Sequence, residues 1–230
     1  MSANGHTPRL RGRAPGINTD RLPVDEQRLS LRSDVAAQQR RVGQGGVDLA
    51  AAEAAARQLL LALGADLEQE GLRETPRRMA AAYAELLTPE HFNLTTFPND
   101  ERYDELVLVR GIPFRSLCMH HLLPFYGVAH VAYVPDERII GLSKLARVVE
   151  HFARDLQLQE RLTKQVAGWL QAKLRPRGVG VVLEAEHLCM SLRGVQAAGA
   201  LTVTSALHGS VRDDPRTREE LLSLAAERSR

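Results

Sequence analysis

The sequence predicts an α+β fold with a mainly antiparallel sheet. Residues with helical and with strand-like apolar periods are grouped along the chain: two helices, several strands, two helices, further strands and a last helix. The chain has 230 residues, of which 44% are hydrophobic, so it can bury a real core. No GxGxxG or GxxxxGK[ST] motif occurs, which removes the common nucleotide-binding loops.

The N-terminal 46 residues differ in composition from the rest of the chain. They contain eight arginines and four acidic residues, whereas all ten aromatic residues lie at or after Tyr83. Without a sustained apolar period this stretch cannot bury enough surface to become ordered, so residues 1–46 are predicted to form a flexible, Arg-rich extension. Its positive charge is dilute, and no nucleic-acid partner is expected.

Residues 47–100 are predicted to form an N-terminal helical segment. An Ala-rich helix is predicted over residues 47–63, with Gly64 as its C-terminal stop. A second helix is predicted over residues 76–87, because Pro76 suits the first position of a helix and Thr75, directly before it, can cap the N-terminus.

Residues 101–230 are predicted to form the catalytic domain. Its runs rich in β-formers predict strands over residues 106–109, 112–117, 127–134, 139–140, 179–185 and 202–207. Ser143 is predicted to cap a helix whose apolar face contains Leu145, Val148, Val149 and Phe152. A second helix ends before Pro176 and has an apolar face formed by Leu162, Val166, Trp169 and Leu170. Asp214 caps a terminal helix that runs to about residue 228.

Two clusters of metal-binding side chains follow predicted strands. The segment from Cys118 to His121 has three such side chains in four positions, and His187 lies two residues before Cys189. If the strand ends meet, Cys118, His121 and Cys189 can hold zinc and leave a fourth position for water, as in catalytic sites. His120 and His187 would then lie beside that water, ready for proton transfer.

Spacing alone does not decide between this catalytic zinc site and three other roles for the same residues: buried hydrophobic cysteines, a cysteine nucleophile and a structural zinc site. Isolated cysteines are most often small buried hydrophobic residues, and two are too few for a disulfide scaffold. A cysteine nucleophile with a histidine base would leave the second cysteine unexplained. A structural zinc would need His120 or His187 as its fourth ligand, and each is awkwardly placed next to its neighbour.

Several motifs, in the same order and at similar spacing, resemble those of the GTP cyclohydrolase I family. They are SLCMHHLLPF at residues 116–125, IGLSKLAR at 140–147, QERLT at 159–163, EAEHLCM at 184–190 and TVTS at 202–205. The segment GLRETPRR at residues 71–78 also resembles the family's helical entry motif. The resemblance extends from about residue 47 to the C-terminus and leaves out the extension.

This resemblance implies a tunnelling fold (T-fold) with helices on one face of the sheet, assembled as a homodecamer of two pentamers. It implies active sites between subunits, each with one zinc ion. In the implied reaction, GTP and water give 7,8-dihydroneopterin triphosphate and formate, the first step of tetrahydrofolate and pterin biosynthesis. The chain has no run of about 18 uncharged apolar residues, so a cytoplasmic protein without a membrane partner is expected.

The resemblance also implies roles for individual residues of the two clusters. Cys118, His121 and Cys189 match the zinc ligands. His120 and His187 match the proton-transfer histidines, which are needed because ring nitrogens must be protonated as C–N bonds break.

Substrate-binding roles are implied for a second set of residues. Glu160 matches the carboxylate that accepts hydrogen bonds from guanine N1–H and the exocyclic amine, although alone it would be interpreted as a solvated glutamate. Gln159, from the same motif, is expected at the substrate. The residues expected at the triphosphate are Ser143, Lys144, Arg147, Arg193 and Arg78.

Two positions depart from the family pattern. Met119 stands where the family usually has an acidic residue, and Ala81 stands where a lysine normally contacts phosphate. The first removes a charge beside the metal ligands, and the second removes one phosphate contact. They motivate an alternative hypothesis: a catalytically impaired family member with a nucleotide-binding or regulatory role.

Overall fold

The structure, a computed structural model, describes residues 46–226. The predicted flexible extension therefore lies, except for Gly46, outside the described residues. The last positions of the predicted terminal helix, after residue 226, also lie outside them. Within residues 46–226, no helix combines the length and the apolar character needed to cross a bilayer.

Helices and strands occur in the grouped order that the sequence predicts. The helices of residues 46–226 are α1 (Leu49–Ala62), α2 (Thr75–Leu87), α3 (Leu142–Ala153), α4 (Gln159–Leu174), α5 (Leu188–Ser191), α6 (Ser210–Asp213) and α7 (Pro215–Ala226). The strands of the same region are β1 (Thr96–Pro98), β2 (Val107–Cys118), β3 (Pro124–Val134), β4 (Arg138–Ile140), β5 (Leu156–Gln157), β6 (Gly178–His187) and β7 (Leu201–Gly209).

The main sheet has the strand order β5-β2-β3-β6-β7. Strand β3 pairs antiparallel with β2 and with β6, and β6 pairs antiparallel with β7. Only the two-residue β5 is parallel to its neighbour, pairing with the last residues of β2. Strands β1 and β4 form a separate antiparallel pair. The predicted α+β class with a mainly antiparallel sheet is therefore confirmed.

Helices α3 and α4 pack on one face of the sheet, as expected. Their predicted apolar faces are buried, with Leu145, Val148, Leu162, Val166 and Leu170 each fully excluded from solvent. Burial of each such side chain contributes about 1.5–3 kcal/mol. The opposite face is covered at one end by the C-terminal segment, where a smaller core forms from Ala132, Val134, Val211 and Leu221.

Two predicted helix caps are wrong. Glu74 is the N-cap of α2, and Thr75 is already helical, because the preceding turn hydrogen-bonds the Thr75 N–H to the Leu72 carbonyl at 3.0 Å. Gly141 is the N-cap of α3, so Ser143 lies inside the first turn. Both errors arise because the turn before a helix decides where helical geometry begins.

The strands differ from prediction mainly in their lengths. The two runs predicted over residues 106–109 and 112–117 form the single strand β2, whose register shifts between Val109 and Ile112. Gly111, with φ +71°, lies at this irregularity. Strands β1 and β5 and the one-turn helices α5 and α6 were not predicted, since two to four residues are too few to show a period.

Gly127 on β3 provides a test of the packing between β3 and β6. A Cβ atom there would lie 1.8 Å from the Glu184 carbonyl oxygen, which is backbone and cannot turn away. Gly127→Ala is therefore expected to lower the free energy of unfolding by about 3 kcal/mol, measured by urea denaturation. The matched control is Gly180→Ala, whose Cβ would meet the flexible end of the Leu221 side chain. An equal or smaller loss for Gly127→Ala than for this control would contradict the expectation.

Candidate metal and active site

The two Cys/His clusters meet at one edge of the sheet. Because β3 lies between β2 and β6 and is antiparallel to both, the C-terminal ends of β2 and β6 lie at the same edge of the sheet, on either side of the start of β3. Cys118 is the last residue of β2, and His187 is the last residue of β6, opposite Phe125. Cys189 follows in the one-turn helix α5.

A tight turn holds the first cluster. The Cys118 N–H donates to the Leu123 carbonyl at 2.9 Å, and the Leu122 N–H donates back to the Cys118 carbonyl at 2.9 Å. Leu122 adopts a left-handed backbone conformation, with φ +53°. The Met119 N–H donates to the Gln157 carbonyl at 3.0 Å, which attaches the turn to β5. The backbone around the imidazoles is thus anchored on both sides.

The cluster contains the donor atoms that zinc prefers. Cys118 is buried, with its Sγ 3.7 Å from His121 Nδ1. One ligand atom from each of Cys118, His120 and His121 lies within 4.8 Å of the others. Cys189 is not one of these three residues, although it lies close enough to Cys118 for the two thiols to affect the Cys189 pKa, and both cysteines are free. One sulfur and two imidazoles in one place, with a second thiol nearby, fit a zinc ion, for which thiolate and imidazole are usual ligands.

The surroundings of Cys189 keep its thiol protonated in the metal-free chain. Burial raises the pKa of the Cys189 thiol, and the adjacent Cys118 adds to the increase. Arg193 lies near enough to lower the same pKa slightly. Because zinc binds the thiolate, metal binding has to displace this proton.

His187 is held between an aromatic ring and an amide. Its imidazole stacks on Phe125, with ring centroids 4.6 Å apart and planes within 1°. Its Nε2 lies 2.7 Å from Oε1 of Gln159. Burial lowers the pKa of His187, and the Glu160 carboxylate partly opposes that shift. The ring is therefore neutral near pH 7, a state that can accept a proton.

The two residues that begin α4 have contrasting environments. Glu160 is exposed and lies close enough to His187 to influence its pKa. Gln159 is 1% exposed, and its side-chain amide hydrogen-bonds to His187, to β7 and to β6. The structure thus brings the predicted guanine-binding carboxylate next to the predicted proton-transfer histidine.

The predicted triphosphate residues are spread over three elements. Arg78 is exposed on α2, Ser143 and Arg147 are exposed in α3, and Arg193 follows α5. Within residues 46–226, no hydrogen bond or ion pair joins any of these, or the half-buried Lys144, to the Cys/His cluster. Of this set, Arg193 lies close enough to Cys189 to lower the pKa of its thiol.

Sequence reasoning did not single out two residues that support the site. Phe125 forms the surface on which His187 stacks, and its alternation with buried Ala129 in β3 could have marked it as inward-facing. Arg161 donates from Nε to the Gln157 side chain at 2.8 Å and from its guanidinium to the Leu156 carbonyl. It thereby holds β5 beside Cys118, a role that its sequence context does not reveal.

An α+β domain that gathers thiols and imidazoles at one sheet edge, beside a neutral histidine and an exposed carboxylate, has the construction of an enzyme with a candidate metal site. The chain belongs to the GTP cyclohydrolase I family, whose sequence model matches residues 52–226. This agrees with the resemblance seen in its motifs.

Named relatives support the same assignment over most of the chain. A protein from Aquifex aeolicus is 53% identical, covering 74% of this chain and 92% of its own length. One from a Synechococcus strain is 51% identical, and the match covers 80% of this chain and 82% of that protein. One from Streptomyces avermitilis is 54% identical, covering 78% and 92%. All three are named GTP cyclohydrolase 1.

A solved structure, described as an archaeosine synthase QueF-Like in the apo form, aligns with 46% of this chain and 94% of its own. Its 18% identity and TM-score of 0.37 are too low to support a conclusion about the fold.

Zinc content after substitution tests the predicted ligand set. Cys189→Ala and His121→Ala are expected to lose most bound zinc, because each removes one of three protein ligands. His120→Ala is the matched comparison, since this imidazole lies in the same cluster but is predicted to transfer protons. Zinc per chain would be measured by elemental analysis of the purified proteins. Full zinc content and full turnover in Cys189→Ala would contradict the predicted site.

Proposed function

We propose that this chain is a zinc-dependent GTP cyclohydrolase I, which converts GTP and water into 7,8-dihydroneopterin triphosphate and formate. One observation carries the proposal: the metal-binding cluster around Cys118 lies at the same sheet edge as His187 and Glu160. Membership of the family supplies the substrate class and the reaction type. The reaction opens the five-membered guanine ring at C8, rearranges the ribose and closes a pterin ring.

In this proposal Cys118, His121 and Cys189 would hold the zinc ion. Bound zinc supplies Lewis acidity, which makes water nucleophilic enough near neutral pH to attack C8. The buried sulfur of Cys118, which lies 3.7 Å from His121 Nδ1, and the proximity of Cys189 to Cys118 support this choice of ligands. His120 lies next to His121, with ring centroids 6.1 Å apart, and can serve as a proton-transfer group.

Glu160 and His187 bind and protonate the guanine in the proposed site. The exposed Glu160 carboxylate can accept hydrogen bonds from N1–H and the exocyclic amine together. His187 is neutral because burial lowers its pKa, so it can take a proton from the attacking water and return it to a ring nitrogen. Its stacking on Phe125 keeps the ring in one plane during both transfers.

The triphosphate is proposed to lie among Ser143, Lys144, Arg147, Arg193 and Arg78. The exposed start of α3 adds free backbone N–H groups, which favour anions. The departure at Ala81, which is exposed on α2, leaves Arg78 as the predicted cationic contact from that helix.

We further propose that the chain works as a homo-oligomer, a decamer of two pentamers. Large apolar side chains are exposed around and beyond the site, which supports burial against another subunit. They are Met190, Leu192, Val195, Leu201 and Val203, each at least 40% exposed. A cytoplasmic location is proposed as well, since a site that depends on two reduced thiols suits a reducing compartment.

A product assay tests the proposed reaction. The purified, zinc-loaded protein is incubated with GTP, and formate release and the pterin chromophore are followed together. Both products are expected, with loss after chelator treatment and recovery after zinc is restored. Formate without pterin would mean that the reaction stops after ring opening. Neither product, with zinc still bound, would overturn the proposal.

Met119→Glu tests whether the departure beside the ligands impairs the enzyme. The Met119 side chain is 40% exposed, and an exposed charge there is expected to change an interaction energy by at most ~1 kcal/mol. Turnover is therefore expected to change by less than about fivefold. Met119→Gln is the control, because glutamine has nearly the same shape as glutamate but has no charge. A large gain from near-zero activity in Met119→Glu alone would favour the impaired alternative.

A further inference from the structure

We propose that Gln159 is a positioning residue whose side-chain amide holds His187 in one tautomer, with the proton on Nε2 and the lone pair on Nδ1. The inference deepens the proposed function, and its catalytic consequence rests on that function. It replaces the expectation that the Gln159 side chain contacts the substrate.

The orientation of the Gln159 amide is determined by backbone carbonyls. Its Nε2 donates to the Leu183 carbonyl at 3.1 Å and to the Thr202 carbonyl at 2.9 Å, and lies 3.2 Å from Thr204 Oγ1. A carbonyl oxygen can only accept, so the amide nitrogen must be the atom on this side. If the Gln159 amide were rotated by 180°, its oxygen would face the Leu183 and Thr202 carbonyl oxygens, which cannot donate a hydrogen bond.

With the nitrogen assigned, the amide oxygen must face His187. Oε1 of Gln159 lies 2.7 Å from Nε2 of His187. Because an amide oxygen can only accept, the hydrogen of this bond belongs to the imidazole nitrogen. A neutral imidazole has a single N–H, so its Nδ1 then has the lone pair. Any proton that His187 accepts or returns in the reaction must therefore pass through Nδ1.

Gln159 is itself held in a closed network. Thr163 Oγ1 donates to the Gln159 backbone carbonyl at 2.7 Å, and the Thr163 and Thr204 hydroxyls lie 2.7 Å apart. Gln159 is 1% exposed and Thr163 is equally buried. The side chain is therefore unable to reach a substrate without breaking bonds to β6 and β7. It acts on the substrate only through His187.

Neutron diffraction tests the tautomer directly. Crystals of the zinc-loaded wild-type protein are exchanged into D2O, and deuterium is located on the His187 ring and on the Gln159 amide. Deuterium on Nε2 of His187, with the Gln159 oxygen facing it, is expected. A bare Nε2, or an amide nitrogen facing His187, would overturn the inference. This result does not depend on whether the protein has the proposed activity.

Kinetics of variants separate positioning from substrate contact. Gln159→Met removes the acceptor and is expected to lower kcat by about 10- to 100-fold, with KM for GTP changing less than about threefold. Glu160→Gln, at the proposed guanine carboxylate, is expected to act mainly by raising KM.

Gln171→Met is the matched control, because Gln171 lies on the same helix and, among residues 46–226, its side chain donates one hydrogen bond, to the Pro176 carbonyl at 3.4 Å. Its kinetics are expected to equal those of the wild type. Unfolding midpoints and zinc content of all variants are measured alongside. A raised KM with unchanged kcat in Gln159→Met would overturn the positioning role.

The two proposals fail in distinguishable ways. Wild-type protein that yields no formate or pterin, while deuterium lies on Nε2 of His187, contradicts the proposed function alone. Active wild-type protein with deuterium on Nδ1 and a bare Nε2 contradicts the tautomer assignment alone.

Discussion

The pairing of β3 with β2 on one side and β6 on the other is the constraint on which the candidate site depends. Antiparallel pairing reverses the chain direction twice, so the ends of β2 and β6 return to the same edge. The thiol of Cys118 and the imidazole of His187 arrive there from parts of the chain about 70 residues apart. A one-residue slip in either register would turn one of them to the opposite face.

Buried polar groups make this edge specific. Ser116, Gln157, Gln159 and Thr163 are each at most 2% exposed, and all have hydrogen-bond partners. An apolar residue would pack in their places without selecting one arrangement, whereas a satisfied polar network does select one. The network joins the start of α4 to β5, β6 and β7, and so it positions both Glu160 and His187.

Long periodic elements were predictable, and short ones were not. The buried faces of α3 and α4 follow from periods that repeat over several turns, and the nearly continuous burial of β6 follows from its run of β-formers between Val179 and Ala185. Strand β5 is only two residues long, yet it anchors the turn after Cys118 through Gln157. Strand β5 forms because it pairs with the end of β2, about 40 residues earlier in the chain, and the sequence around β5 does not indicate this pairing.

The sequence by itself determined the residue types available as ligands, the order of the motifs and the family, because these depend on residue identity and spacing. Only the tertiary structure decided which atoms meet: His120 joins the cluster with Cys118 and His121, and Phe125 lies under His187. It also decided that the Gln159 amide faces His187 while Glu160, its neighbour, remains exposed. Adjacent residues on a helix point about 100° apart, and which of them is buried depends on the strands packed against it.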